Sequence, residues 1–336
     1  MQKDYGLTAN GYHGAMIPES LLRDFLQSAS KPLIVIVGPT ASGKTGFALS
    51  IASLTSEAGV HEPLLRGKNK VVEIINADSR QFFRGFDIGT AKIAKKEMNN
   101  IPHHLIDVLE PSEKPTIAWF KDEATRTIDA IHARRNLPIL CGGSMLYVSS
   151  IIDGLVPLSP VHPELRKKLS EEYDADYGVH LHEKLSEIDP EGAANIPKEN
   201  KHHLIRAMEI VIVTGKKSSA QKKRVQSPYD LLMFGMSIPK KELDARIESR
   251  TRHMFAAGWV EEVQALLKAG VSVDDPAMES VGYTAIARRL QAGKTSKVIK
   301  EDRELFSEIN RRTRQYAKRQ RTWWKKDLRI HWISGS

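Results

Sequence analysis

The stretch LIVIVGPTASGKT, Leu33 to Thr45, decides the fold. It opens with a short β-rich apolar run, and GPTASGKT, Gly38 to Thr45, matches G-x-x-x-x-G-K-[ST]. Phe47, Ala48, Ile51 and Ala52 then recur at helical spacing along Lys44 to Leu54. Strand, glycine-rich turn and helix in that order make a phosphate cradle: the backbone N–H groups of Ala41 to Thr45 can surround a phosphate, helped by the helix N-terminus. Gly38 and Gly43 permit the turn, Lys44 supplies a point charge, and the Thr45 hydroxyl can hold a phosphate-bound Mg²⁺. The motif identifies phosphoryl oxygens without saying which molecule carries them.

Outward from the cradle the alternation continues. Val71 to Asn76 reads as a second strand, Ile117 to Arg134 as a helix, Leu137 to Cys141 as a strand and Leu231 to Ile238 as another. This order predicts an α/β fold, a P-loop NTPase-like core with a mostly parallel sheet. Between Pro157 and Lys201 the strands stop and the chain becomes charged and helical, at Glu164 to Tyr173 and His180 to Glu187. After Lys240 it is helical throughout, with Lys297 to Leu328 a long, interrupted stretch. The expected organisation is an N-terminal extension (1–30), a first part of the core (31–156), an inserted helical domain (157–201), and a core completion with a basic helical C-terminal region (202–336).

The 336 residues are 41% apolar and 27% charged, enough to bury an ordinary core, which excludes a disordered or fibrous chain. No signal peptide opens the sequence and no apolar stretch is long enough to span a bilayer. The lone cysteine, Cys141, fits a reducing compartment, so a cytoplasmic location is expected. The formal charge is +9, and Asn310 to Arg329, NRRTRQYAKRQRTWWKKDLR, holds nine Lys or Arg against one Asp. At 100° per residue Arg314, Lys318, Arg321 and Lys325 form one ridge, with Tyr316, Gln320 and the tryptophans elsewhere around the helix. A basic helix with aromatics can track a phosphate backbone and stack on exposed bases. A solvated C-terminal helix whose tryptophans dock on the core is the plainer reading.

Asp78 follows the second strand in ADSRQ, on the side of the sheet where open α/β folds bind ligands. A chemical role, a helix cap and a magnesium-organising carboxylate are all open to it. DIGTAK, Asp87 to Lys92, offers a hydroxyl and a cation to a phosphate, or is a surface turn; Gly142-Gly143-Ser144 offers a tight backbone approach and a hydroxyl. Arg246 and Arg250 share a helical face and, with Lys44, could clamp adjacent phosphates. The strand Leu137 to Cys141 ends without the aspartate that phosphate-hydrolysing P-loop proteins use for Mg²⁺, although Asp78 or Asp107 could substitute. Neither a zinc signature nor a G-x-S-x-G elbow is present.

Seven motifs in order, GPTASGKT, ADSRQ, DIGTAK, PHHLID (Pro102 to Asp107), GGSMLY (Gly142 to Tyr147), VGYTA (Val281 to Ala285) and TRQYAKRQRTWW (Thr313 to Trp324), resemble the tRNA dimethylallyltransferases, or tRNA isopentenyltransferases. The resemblance runs from about Leu33 to Trp324. It implies transfer of a dimethylallyl group from dimethylallyl diphosphate to N6 of adenosine 37, beside the anticodon of tRNA, with Mg²⁺ assisting, by a monomer with no membrane association. It implies that Gly38, Pro39, Thr40, Ala41, Ser42, Gly43, Lys44 and Thr45 cradle the diphosphate, with Thr45 on the metal and Arg246 and Arg250 as helpers. Asp78, Ser144 and Lys44 would be the catalytic residues, Asp78 as base. Asp78, Ser79, Arg80, Gln81 and Ser144 would lie against the anticodon stem-loop. So would His202, His203, Leu204, Ile205 and Arg206 of HHLIRAMEI, and the ridge Arg314, Lys318 and Arg321. Ser144 stands where the family has Thr, and His203 where it has Arg; a hydroxyl and one basic position, Arg206, are retained.

The chemistry explains these residue types. Adenine N6 is a weak nucleophile, so the cradle must stabilise charge accumulating on the departing diphosphate. A carboxylate then takes the N6 proton. Adenine is expected to leave the anticodon-loop stack for a closed channel that keeps water off the allylic carbon. Three other readings share parts of this pattern: a P-loop small-molecule or nucleotide kinase, distinguished by phosphoryl transfer from ATP; an adenylate isopentenyltransferase, which would not need the basic helix; and a non-catalytic RNA-binding protein, which would tolerate loss of Asp78.

Overall fold

A computed structural model of the chain describes residues 18–55, 71–154, 162–220 and 226–334. The N-terminal arm up to residue 17 and the polar stretch Ser56 to Asn69 lie outside them. The strands are β1 (Pro32–Val37), β2 (Val72–Asn76), β3 (His103–His104), β4 (Leu137–Cys141), β5 (Asp230–Ser237) and β6 (Ile330–Ser334). The α-helices begin with α1 (Glu19–Ser28), α2 (Lys44–Thr55), α3 (Ile117–Ala133), α4 (Met145–Ile152), α5 (Pro163–Asp176), α6 (Val179–Ile188), α7 (Pro190–Ala194) and α8 (Lys201–Thr214). After β5 come α9 (Lys240–Ala256), α10 (Trp259–Lys268), α11 (Tyr283–Gln291), α12 (Ser296–Lys300) and α13 (Arg303–Trp324).

All strand pairs are parallel, in the order β3-β2-β4-β1-β5-β6. β1 sits inside the sheet, so Leu33 to Val37 are fully buried, which is why the run is apolar without alternation. Phe47, Ala48 and Ile51 of α2 press on it, with Phe47 edge-on to Phe234 of β5 at 5.5 Å. β1 and β4 therefore end side by side, bringing the phosphate loop next to the turn that follows Cys141. The two outer strands, β3 and β6, carry no strong strand pattern. No helix among the described residues is long and apolar enough to cross a membrane.

The chain divides into two compact units, residues 1–148 with 228–336, and residues 149–227. The second is helical and wider than the 157–201 stretch that composition marks. α8 belongs to it because Leu204, Ile205, Ala207, Met208 and Val211 build its core with Leu169, Tyr173, Leu181 and Leu185. At its centre the fully buried Glu209 accepts from the His162 N–H (2.8 Å), Arg166 (2.7 Å) and Arg206 (2.6 Å). Burial alone would raise this carboxyl; Arg206, the His162 N–H and Arg166 instead hold it below the usual range.

Candidate active site

The phosphate loop is fixed by its own geometry and by two later helices. Ala41 is left-handed (φ 63°), its methyl packed against Ile238, Leu243, Ile247 and Ala317. Lys44 Nζ donates to the Pro39 carbonyl at 2.8 Å, and Arg250 Nη2 of α9 donates to Thr40 Oγ1 at 2.7 Å. Among the described residues, the N–H groups of Ala41, Gly43, Lys44 and Thr45 have no protein partner, and the buried Ser42 hydroxyl has none either. These donors are what a phosphate takes up.

Asp78 closes the other side. Its N–H donates to Asn76 Oδ1 (3.0 Å), and one carboxylate oxygen accepts the Arg80 N–H (3.1 Å), a tight turn just past β2. The Asn76 amide completes it by donating to the Asp78 and Leu105 carbonyls. Burial pushes the Lys44 ammonium below its ordinary value, and nearby Arg250 adds to this while Asp78 opposes it. Burial likewise lowers Arg250, again opposed by Asp78. Cys141, whose thiol burial pushes up to about 12, is neutral at physiological pH. Asp78 is thus the anion whose charge acts on both cations.

Ser144 is buried, its Oγ accepting the Ser79 N–H at 3.0 Å and lying 3.2 Å from Ser79 Oγ. Gly142 is required here because a Cβ would sit 2.3 Å from the Ala77 carbonyl. From α13, burial, followed by the Asp78 charge, raises the Tyr316 phenol to about 12, with the Ser144 side chain opposing the rise. Gln320, on the same helix and only 1% exposed, accepts the Thr40 N–H and donates to the Gly143 carbonyl, both at 2.8 Å. Tyr316 and Gln320 stand off the basic ridge, inside the motif TRQYAKRQRTWW, of which only the ridge is given a role. Their signal in the sequence is their spacing with Ile309, Ala317 and Trp324, the buried face of α13.

Several expected site residues take other positions. Leu204 and Ile205 have their side chains in the core of the helical unit, where the helical period puts them on its apolar stripe. Arg206 is held on Glu209, while His202 and His203 are exposed. Arg246 pairs with Glu242 at 2.5 Å, and Arg250 of the same helix reaches the loop at Thr40. Arg80 reaches the Pro276 carbonyl at 3.1 Å, and Gln81 the carbonyls of Thr90 and Ala91. DIGTAK is a brace: Glu262 collects the N–H groups of Asp87, Ile88 and Gly89 together with the Tyr283 hydroxyl of VGYTA. Lys92, its side chain 3% exposed, bonds Asp87, Asp107 and the Phe83 carbonyl. Trp324 docks on the core whereas Trp323 is exposed. On the opposite face of α13, Arg311, Arg314, Lys318, Arg321 and Lys325 line a groove of about 750 Å³ with Lys240 and Trp332.

A family model described as IPP transferase matches residues 81–327. The tRNA dimethylallyltransferase of Geobacter sulfurreducens is 39% identical over 311 residues, covering 91% of this chain and 93% of that protein. That of Thermomicrobium roseum is 38% identical over 303 residues, covering 90% and 86%. The solved structure of the full-length tRNA isopentenylpyrophosphate transferase from Bacillus halodurans superposes with a TM-score of 0.62 at 35% identity, covering 91% of this chain and 90% of that one. A eukaryotic dimethylallyltransferase acting on tRNA shares the fold, with a TM-score of 0.73 at 24% identity over 91% of this chain and 74% of that one. Matched along most of its length in sequence and carried on the same fold, the chain belongs to the IPP transferase family.

Proposed function

We propose that this protein transfers a dimethylallyl group from dimethylallyl diphosphate to N6 of adenosine 37 in the anticodon loop of tRNA. The observation that carries this reading is a phosphate loop with unclaimed N–H groups and an unpartnered Ser42 hydroxyl, held by Lys44 and Arg250, with the Asp78 carboxylate near enough for its charge to act on both cations. A base thereby faces a leaving-group site. The diphosphate would take the free N–H groups of the loop, the Ser42 hydroxyl, Lys44 and Arg250. These groups stabilise charge as the allylic C–O bond breaks. Asp78 would accept the N6 proton once the new C–N bond has made that nitrogen acidic.

Mg²⁺ fits the donors present. No cluster of three or more His, Cys, Asp or Glu among the described residues could hold a metal ion. An ion here would take the Thr45 hydroxyl and complete its shell with diphosphate oxygens and water, which suits magnesium. When bound, it would neutralise charge on the leaving group. Incubating the pure protein with dimethylallyl diphosphate, Mg²⁺ and unmodified tRNA, followed by nucleoside mass analysis, is expected to yield prenylated adenosine. ADP from an ATP-dependent reaction without prenylation would reject the reading.

The basic face of α13 would hold tRNA phosphates. Lys318 and Arg321 are exposed, whereas Arg314 lies 3.7 Å from Asp244 and 3.6 Å from Glu248 of α9. Replacing Arg314, Lys318 and Arg321 together by Gln is expected to weaken tRNA binding and flatten its salt dependence by roughly 0.7–0.9 for each phosphate no longer neutralised. Because Arg314 also braces α9, the pair Lys318→Gln and Arg321→Gln reports the electrostatics more cleanly. Filter-binding titrations across salt concentrations measure the slope; an unchanged slope would make the ridge a solvated face.

A further inference from the structure

We infer that Gln320 is a positioning residue for diphosphate recognition, locking the phosphate loop to the Gly142-Gly143-Ser144 turn from the buried side of the basic helix. The inference rests on the reading of that loop as the diphosphate cradle. Three observations carry it. The carboxamide is buried and engaged at both ends, its oxygen accepting from the Thr40 N–H and its nitrogen donating to the Gly143 carbonyl, each at 2.8 Å. Thr40 is also where Arg250 attaches, through Oγ1 at 2.7 Å, so one loop residue is gripped at its backbone by α13 and at its side chain by α9. Finally, a Cβ at Gly143 would lie 2.1 Å from Gln320 Nε2, so the glycine leaves room for this amide and for little else.

The physical consequence concerns aim. With its N–H committed to Gln320, the Thr40 peptide is fixed just before left-handed Ala41, and the free N–H groups of Ala41, Gly43, Lys44 and Thr45 follow from that orientation. The opposite end of the amide fixes the Gly143 carbonyl, one residue before the serine whose hydroxyl receives the Ser79 N–H beside Asp78. One side chain therefore sets the cradle and the segment carrying the base from a common point. An amide is the side chain suited to this task, since it presents a donor and an acceptor in one plane. Gln320 itself is withdrawn from the surface, with 1% of it exposed.

The test is binding of inorganic pyrophosphate, and separately of dimethylallyl diphosphate, by calorimetry, with tRNA affinity measured by filter binding. Gln320→Leu, which leaves both partners buried and unpaired, is expected to weaken both diphosphates about tenfold to a hundredfold and to raise KM for dimethylallyl diphosphate similarly, with tRNA affinity unchanged. Gln320→Glu keeps the acceptor and loses the donor at neutral pH; protonation of the new carboxyl restores an O–H for Gly143. Its pyrophosphate affinity is expected to recover relative to wild type as pH falls, a response that general loosening of the fold would not give. Gly143→Ala is expected to mimic Gln320→Leu, and the double variant to be little worse than either, because both remove the same interaction. Pyrophosphate affinity of folded Gln320→Leu within about twofold of wild type would overturn the inference, since a single buried hydrogen bond is normally worth more. So would weakened tRNA binding with intact diphosphate binding, or an absence of pH recovery in Gln320→Glu. Failure of the wild-type protein to bind either diphosphate would instead overturn the cradle reading, and this inference with it.

Discussion

Asp78→Asn is expected to slow single-turnover prenyl transfer by roughly 10²–10⁴ while tRNA remains bound, the loss that removal of a general base produces. The substitution is nearly isosteric, and the turn holding Asp78 does not depend on its charge. An asparagine oxygen can still accept the Arg80 N–H, and the backbone contacts to Asn76 persist. What disappears is the ability to take a proton from N6. Asp78 is also the anion whose charge acts on Lys44 and Arg250, so its removal lowers the negative potential that a diphosphate meets. Diphosphate affinity should therefore hold or improve as the rate collapses. A structural defect in the cradle would weaken both together. Rapid-quench measurements at saturating tRNA decide the matter: a rate within about threefold of wild type would remove Asp78 from the base role, since that lies below the normal contribution of such a group.

The parts of this arrangement legible in the sequence are those fixed by local physics. β1, the glycine-rich turn and α2 follow from an apolar run, a phosphate-loop spacing and a helical period within two dozen residues. β4 is equally plain because it is buried on both faces. β3 has two residues, and β6, in the sequence IHWIS, buries only Ile330 and Ile333, so neither offers a run or an alternation to read. The break in the last helical stretch comes from Asp302, which caps α13 by accepting the Leu305 N–H and also pairs with Arg289. Periodicity alone passes over that cap.

The candidate site divides in the same way. Asp78, Lys44 and Ser144 stand at strand ends or in the loop itself, where position announces function. Gln320 and Arg250 meet Thr40 across 280 and 210 residues of chain, a convergence that only the packing of α9 and α13 reveals. Leu204 and Ile205 show the converse, since the resemblance expects them against tRNA while their helical spacing assigns them to a core.

Lys44→Ala is expected to weaken diphosphate binding and to slow transfer by about 10²–10³, the scale on which a preorganised donor to a developing anion contributes. tRNA affinity should not change, because Lys44 lies inside the loop, with its ammonium on the Pro39 carbonyl. The pH dependence gives a sharper signature. Burial lowers the Lys44 pKa, so the ligand-free protein loses this proton at a lower pH than an exposed lysine would. Pyrophosphate affinity of the wild type should then fall as pH rises through that lowered value. Binding in this range should take up a proton, visible as a dependence of the calorimetric enthalpy on the buffer. Unfolding cannot mimic the effect. Between the lowered pKa and the ordinary one the unfolded chain holds the proton and the folded protein does not, so through this group stability rises with pH while affinity drops. Lys44→Ala should lose both the proton uptake and this arm of the pH profile. Unchanged affinity and unchanged rate in the variant would remove Lys44, and with it the phosphate loop, from recognition of the leaving group.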